Sequence, residues 1–450
     1  MDRKILEELK KWKSESNGRT AILIDGARRV GKSYIAEKFA RENYKSYILI
    51  DFYEAEETIK ELFTSDMRDL DSFFSYLSAI FNTPLYPRES LIIFDEVQLF
   101  PRARGMLKYL VADGRYDYLE TGSLMSIRKN VKDIIIPSEE QHINMYPMDF
   151  EEFLWAMGNK TLMPLIRSNF EEKKPMGQSL HRMAMNYFRQ YVIVGGMPQA
   201  VKEYSDTQNF AAVDRIKRNI LTLYRADIRK HADGCELEVE AIFDDIPGQL
   251  SRHEKKYKLS DLAVGASTRR YSKPFFWLND SMIINSCYNA TEPNLGLKLT
   301  SGRRTMKCYF IDTGLLVSHA FDENGLVSQE IYKKILLDKL NINEGMLMEN
   351  VVAQMLVASG HKLYFFSRSS RSNAMDRMEI DFLIAKQRIT SKHNIAPIEV
   401  KSGDRYALSS IRKYREKYAE YMDVPYVLHT KDLKIEDGIT YLPLYMTMLL

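Results

Sequence analysis

Short apolar runs alternating with helical periodicities fill the first third of the chain. TAILID (20–25), SYILID (46–51), SLIIFD (90–95), YDYLET (116–121) and QHINMY (141–146) read as strands, with helical patterns between them. The first three are almost wholly apolar, which suits strands covered on both faces. Strands separated by helices predict an α/β fold with a parallel sheet and crossover connections. Ahead of them, Ile5, Leu6, Leu9 and Trp12 mark one face of a short amphipathic helix.

The pattern changes twice further on. From MDFEEFLWAMG (148–158) it is helical to about residue 235, interrupted by GGMP at 195–198. Residues 237–307 hold helical pieces around EAIFDDIPGQLS and KLSDLAVGA, then STRRYSKPFFWLNDSMII and strand-like segments. From about 331 the order is helix (GMLMENVVAQMLVASG), strand, strand pair, helix (ALSSIRKYREKYAEYM), strand: a small α/β domain. The expected divisions are therefore 1–150, 151–235, 236–325 and 326–450.

Composition narrows the picture only locally. With 450 residues, 45% hydrophobic, 28% charged and a net charge of +3, the chain exerts no global pull toward nucleic acid or membrane. Residues 251–307, however, carry 11 Lys and Arg against 4 Asp and Glu. Cys235, Cys287 and Cys308 are isolated, which argues against a disulfide scaffold or a zinc site and fits a reducing compartment. No run approaches 18 apolar residues, and Met1-Asp2-Arg3-Lys4 does not lead into a signal-peptide core. The expectation is a cytoplasmic protein with no membrane partner.

The strongest chemical signal is GARRVGKS, which follows the first strand and opens a helix. This is the phosphate-binding spacing GxxxxGK[ST]. Gly26 and Gly31 let the backbone bend so that successive N–H groups form a concave nest for phosphate oxygens. The helix start adds its positive end. Gly26, Ala27, Arg28, Arg29, Val30, Gly31, Lys32, Ser33 and Tyr34 are the expected ATP-binding residues. Lys32 would reach the β- and γ-phosphates, and the Ser33 hydroxyl would ligate Mg²⁺.

SLIIFDEVQ supplies the second half of such a site. Its carboxylates emerge at the C-terminal edge of a buried strand, where open α/β sheets bind ligands. Asp95 is expected to hold the Mg²⁺ shell, and Glu96 to polarise the attacking water. Thr121-Gly122-Ser123 ends the next strand, and Ser123 is the expected γ-phosphate sensor. Arg28, Arg29, Arg225 and Arg229 are the available cations for stabilising transition-state charge. No acceptor-site feature supports a kinase or transferase.

Taken in order, GARRVGKS, IIFDEVQ, TGS, YPMDFEEF, YVIVGGMPQAV, KCYFIDTGLL and EIDFLIA…IEVKSG resemble a prokaryotic family of AAA-type ATP-binding proteins. The C-terminal half of that family is a domain of unknown function similar to restriction endonucleases. The resemblance implies a five-stranded ATPase core with the TGS strand between the strands carrying Gly26–Ser33 and Asp95-Glu96. It also implies a winged helix in the middle of the chain.

KLSDLAVGA and STRRYSKPFFWLNDSMII then read as the two helices of a helix-turn-helix ending near Ile283, with a wing after it. Arg269, Arg270 and Lys273 would lie on or near the recognition helix, and Arg303 and Arg304 in the wing, where they would neutralise DNA or RNA phosphates. A protein-contact role is the alternative for such a module. Phe275, Phe276 and Trp277 read as core.

In the last segment Glu349 lies on a helix whose apolar positions Met346, Leu347, Val351, Val352 and Met355 face a core. Strand alternation sets Asp381 opposite Ile380 and Phe382, and puts Glu399 and Lys401 on one face of PIEVKSG. KQRITSKHN joins the two runs as a hairpin connection. Glu349, Asp381 and Glu399 are the expected ligands of one or two divalent cations, with Lys401 steering the nucleophile or the developing charge. The set resembles the PD-(D/E)XK nuclease superfamily, with Ile380 where many members carry Pro.

The predicted protein is a Mg²⁺-dependent ATPase coupling nucleotide state to a winged-helix and nuclease-like module that acts on DNA or RNA. The alternative is a nucleotide-switched interaction protein, with a protein partner or a second copy of itself, whose nuclease-like domain binds without cleaving.

Overall fold

The computed structural model describes residues 1–64, 69–122, 138–252, 254–259, 262, 268–293, 296–321, 330, 332, 344–368, 376–385, 393–403 and 406–450. The chain forms two compact units, Met1–Tyr146 and Pro147–Leu450.

In the first unit, β1 (Ala21–Asp25), β2 (Ser46–Asp51), β3 (Ser90–Asp95), β4 (Asp117–Gly122) and β5 (Glu140–Asn144) form a parallel sheet in the order β2-β3-β4-β1-β5. The strand ending in Thr121-Gly122 thus lies between the glycine-loop strand and the Asp95 strand, as the resemblance implied. Every residue of β1, β3 and β4 is buried, whereas the edge strands β2 and β5 are only partly so. That gradient explains why the central runs are continuous apolar stretches and β5 is not. Ile5, Leu6, Leu9 and Trp12 are all buried on the helix Ile5–Ser16. One face of the sheet closes over an aromatic cluster in which Phe52 packs against Phe63, Phe94 and Phe100.

The second unit begins with helices from Phe150–Ala156 to Glu236–Ser251. MDFEEF opens them through a reciprocal cap: Asp149 accepts from the Glu152 N–H, and Glu152 accepts from the Asp149 N–H. The helical run breaks at Gly195, which has φ +83°. A side chain at Gly196 would strike the Met148 carbonyl, because the two backbones pair there.

An eight-stranded sheet completes this unit, in the order β12-β13-β11-β10-β9-β8-β6-β7. Its strands are β6 (Ile284–Ala290), β7 (Ser301–Phe310), β8 (Tyr364–Arg368), β9 (Met378–Ala385), β10 (Ile395–Val400), β11 (Tyr426–His429), β12 (Lys434–Glu436) and β13 (Ile439–Pro443). The β6–β7 hairpin, expected as a wing, forms one edge of the same sheet as the C-terminal strands. The link is a parallel pairing of Tyr288 with Tyr364 and Asn289 with Phe365. One sheet therefore runs across residue 326, where a domain boundary was expected.

The expected recognition helix is Thr268–Asp280, while most of KLSDLAVGA lies outside the described residues. Tyr271, Phe275, Trp277 and Leu278 are buried, but Phe276 is 56% exposed, correcting its assignment to the core. A helix turning 100° per residue sets 276 on the face opposite its neighbours.

Candidate functional site: a glycine-loop nucleotide cradle and a carboxylate–lysine cluster

The glycine loop leaves β1 at Asp25 and enters the helix Lys32–Asn43. Gly31 takes φ +97°, a backbone open to glycine at no steric cost. At Gly26 the constraint is space: a Cβ there would lie 2.3 Å from the Met145 carbonyl oxygen. Arg3 braces the loop, donating to the Val30 carbonyl at 3.0 Å and the Tyr146 carbonyl at 2.6 Å. The lone N-terminal arginine carried no motif that would have flagged this. Ala27 and Val30 are buried, whereas Arg28, Arg29 and Tyr34 are exposed.

Lys32 is buried and donates to the carbonyls of Gly26 and Ala27 at 3.0 and 3.1 Å. Burial lowers its pKa, against the pull of Glu96, Asp25 and Asp95. Ser33 Oγ donates to Asp95 Oδ1 at 2.8 Å, and the Thr121 hydroxyl donates to the same oxygen. Asp95 is only 6% exposed. Burial raises its pKa, and the Thr121 and Ser33 hydrogen bonds act in the opposite direction. Glu96 follows in the left-handed region at φ +52°, and its N–H lies 3.3 Å from Thr121 Oγ1. Gln98 donates to its carboxylate. Of the hydroxyls in Thr121-Gly122-Ser123, the one on Asp95 is thus that of Thr121, while Ser123 lies outside the described residues.

Behind this edge runs an ionic chain, buried at Arg104, Glu120 and Glu140 and open to solvent at His142, that the sequence did not signal. Arg104, 2% exposed, forks onto Glu140 at 2.9 and 2.7 Å, with Glu120 4.0 Å away. His142 lies 2.6 Å from Glu140 and 3.9 Å from Asp25. The Asp25 and Glu140 carboxylates push His142 up to about 9. Burial works to raise Glu140, but hydrogen bonds from His142 and Arg104 outweigh it and hold Glu140 at about 2. Glu120 is driven well above the ordinary carboxylate range by burial and then by Glu140.

In the second unit the candidate finger arginines are paired within their own neighbourhood, Arg225 with Asp244 at 3.0 Å and Arg229 with Glu240 at 2.5 Å. Of the expected nucleic-acid contacts, Arg270 pairs with Glu238 at 2.6 Å and Lys273 donates to the Asp233 carbonyl at 2.7 Å. The side chains of Arg269, Arg303 and Arg304 lie outside the described residues.

The C-terminal carboxylates do gather, with partners the sequence reading had not named. Asp381 on β9 accepts from the Val400 N–H of β10 at 2.9 Å, and Glu399 Oε2 lies 2.7 Å from Lys401. Glu349, on the helix Glu344–Ala358, accepts from Tyr309 at 3.0 Å and from Lys255. Lys307 of β7 reaches into the group: its Nζ is 3.0 Å from Glu379, 3.6 Å from Asp381 and 3.9 Å from Glu349. Lys256 holds the other oxygen of Glu379 at 3.2 Å. Burial works to lower Lys307, yet Glu349, Asp381 and Glu379 outweigh it and hold its pKa above the ordinary value.

The expected ligand set Glu349, Asp381 and Glu399 is thus met by ammonium groups. Among the described residues no three His, Cys, Asp or Glu side chains are grouped to hold a metal ion. Nor is any described helix long and apolar enough to cross a membrane.

Residues 18–154 match the family model described as AAA domain. Residues 185–325 and 344–447 match two models described as domains of unknown function, DUF8612 and DUF4143. In its glycine loop and sheet order the N-terminal unit is similar to AAA-type P-loop domains. No curated protein matches the chain. Among solved structures, the RuvB Holliday junction branch migration motor of Thermotoga maritima is 12% identical, with a TM-score of 0.29, covering 65% of this chain and 90% of that one. Cdc6p from Pyrobaculum aerophilum is 11% identical, with a TM-score of 0.25 and coverages of 75% and 94%. Drosophila ORC bound to DNA is 12% identical, with a TM-score of 0.28 and coverages of 72% and 96%.

Proposed function

We propose that the chain is a Mg²⁺-dependent ATPase whose nucleotide cycle governs a C-terminal module that engages DNA or RNA. One observation carries the ATPase reading: the Ser33 hydroxyl and the Asp95 carboxylate are held 2.8 Å apart beside the Gly31 loop. A neutral and an anionic oxygen in contact suit a hard divalent cation, which favours oxygen ligands. Mg²⁺ bound with ATP supplies charge neutralisation for the β- and γ-phosphates, and Ser33 and Asp95 would hold it.

The remaining roles follow from the chain's own groups. Backbone N–H groups between Gly26 and Ser33 receive phosphate oxygens, and Lys32 exchanges its carbonyl partners for them. Glu96 accepts a proton from the attacking water. Thr121 keeps Asp95 oriented through its hydroxyl, and Ser123 remains the proposed γ-phosphate sensor. The decisive measurement is phosphate release by purified protein with ATP and Mg²⁺. Full turnover in a folded Lys32→Ala variant would defeat the ATPase assignment.

A second reading, a nucleotide-switched interaction protein whose C-terminal module binds without cutting, is favoured by the lysines seated among the carboxylates. Metal-dependent cleavage of plasmid or single-stranded substrates, lost on Glu399→Ala or Lys401→Ala, would instead establish a nuclease.

A further inference from the structure

The carboxylate face of the second unit is already supplied with cations. Four carboxylates, Glu349, Glu379, Asp381 and Glu399, are interleaved with four ammonium groups, Lys255, Lys256, Lys307 and Lys401. Both oxygens of Asp381 are engaged, one by the Val400 N–H and the other by Lys307. Both oxygens of Glu349 are engaged as well, by Lys255 and by Tyr309.

Lys307 is 1% exposed, so its charge is balanced by these carboxylates rather than by water. A Mg²⁺ or Mn²⁺ ion needs several oxygen ligands close at hand, and the oxygens of Glu349 and Asp381 are taken by lysines, a phenol and a backbone N–H, which leaves Glu399 Oε1 as a buried carboxylate oxygen of the cluster without a hydrogen-bond partner. The ion would also sit beside a buried positive charge. The residues present do not fit a resident divalent cation.

We propose that Lys307, backed by Lys255, is the built-in cation of this cluster, holding it in a charge-matched, metal-free form. Withdrawing the Lys307 charge turns the same carboxylates into a divalent-cation site. The module then recognises its ligand through the surrounding surface and leaves phosphodiester bonds intact. ATP turnover is a separate property, measured separately, so either conclusion can fail without the other.

The test is a Mn²⁺ titration of the nucleotide-free full-length chain, with free Mn²⁺ read by electron paramagnetic resonance. Wild-type protein is expected to show the same binding curve as Asp381→Asn. Lys307→Met removes the charge at similar bulk, and it should gain one Mn²⁺ site, tighter by on the order of a hundredfold, from the relief of a like charge at contact range. Adding Asp381→Asn should abolish that gained site. A wild-type Mn²⁺ site that disappears in Asp381→Asn would overturn the proposal, as would folded Lys307→Met with no new site. Should Lys307→Met fail to fold, the wild-type and Asp381→Asn curves decide alone: coincidence upholds the proposal, divergence ends it.

Discussion

At the end of β3, Asp95 is gripped by two hydroxyls; on β9 and β10, Asp381 and Glu399 are gripped by ammonium groups and a backbone N–H. Both places bring acidic residues and a lysine together on or beside buried strands. A hydroxyl that donates to a carboxylate can turn its own lone pair to an arriving cation, so the contact survives as shared ligation. An ammonium has no lone pair to offer and must leave first. Lys32 adds to the contrast, since its charge rests on two neutral carbonyls and is available to an anion. On the proposed reading, partner type, rather than the residues themselves, decides which cluster is poised for a triphosphate.

The largest expected break in this comparison is Lys32→Ala. Phosphate release should fall by about three orders of magnitude, the scale of removing a charge-stabilising donor at a reacting centre. Glu399→Ala and Lys401→Ala should leave that rate unchanged in the same assay. Next comes Asp95→Asn, which keeps the shape but halves the acceptor character. Turnover should drop roughly a hundredfold, with the half-saturating Mg²⁺ concentration rising in a titration at fixed ATP.

Thr121→Val is a finer probe. It strips one donor from a buried carboxylate, and urea unfolding should show a loss of about 1–3 kcal/mol. Loss of turnover without loss of stability would mean that the hydroxyl touches substrate instead.

The smallest effect is pH-dependent and concerns the ionic chain behind the nucleotide edge. His142 is raised from 6.5 to about 9, so its contribution is complete below 6.5 and fades as pH climbs through 9. Glu140 is depressed from 4.5 to about 2, so its contribution is complete above 4.5 and fades as pH drops through 2. The melting-temperature difference between wild type and His142→Ala should therefore be largest near pH 5–6.5, and should shrink toward pH 9–10.

The nucleotide edge was legible because its information is local. Two glycines, a lysine and a serine within eight residues define a loop, and the covered strands betray themselves by unbroken apolar runs. Even there, the second hydroxyl that reaches Asp95 belongs to Thr121, because strand pairing sets the register and the text alone cannot. The second cluster was half legible. Alternation along EIDFLIA and PIEVKSG put the acidic residues on one face, yet Lys255 sits 94 residues from the glutamate it binds. A local excess of Lys and Arg between 251 and 307 pointed to a nucleic-acid surface. The structure turns Lys255, Lys256 and Lys307 inward to carboxylates and ties Arg270 and Lys273 to their own chain. Charge counts report how many cations a segment has, not where tertiary pairing sends them.

The short pairing of β6 with β8 has a practical corollary for dissection of this molecule. A fragment cut at residue 326 would start life with β8 stripped of its neighbour, an open border prone to sticking to other copies. It would also have left Lys255 and Lys307 behind on the discarded piece. Such a fragment would display bare acids that intact protein never shows, and any affinity for metal it acquired would be a product of the scissors.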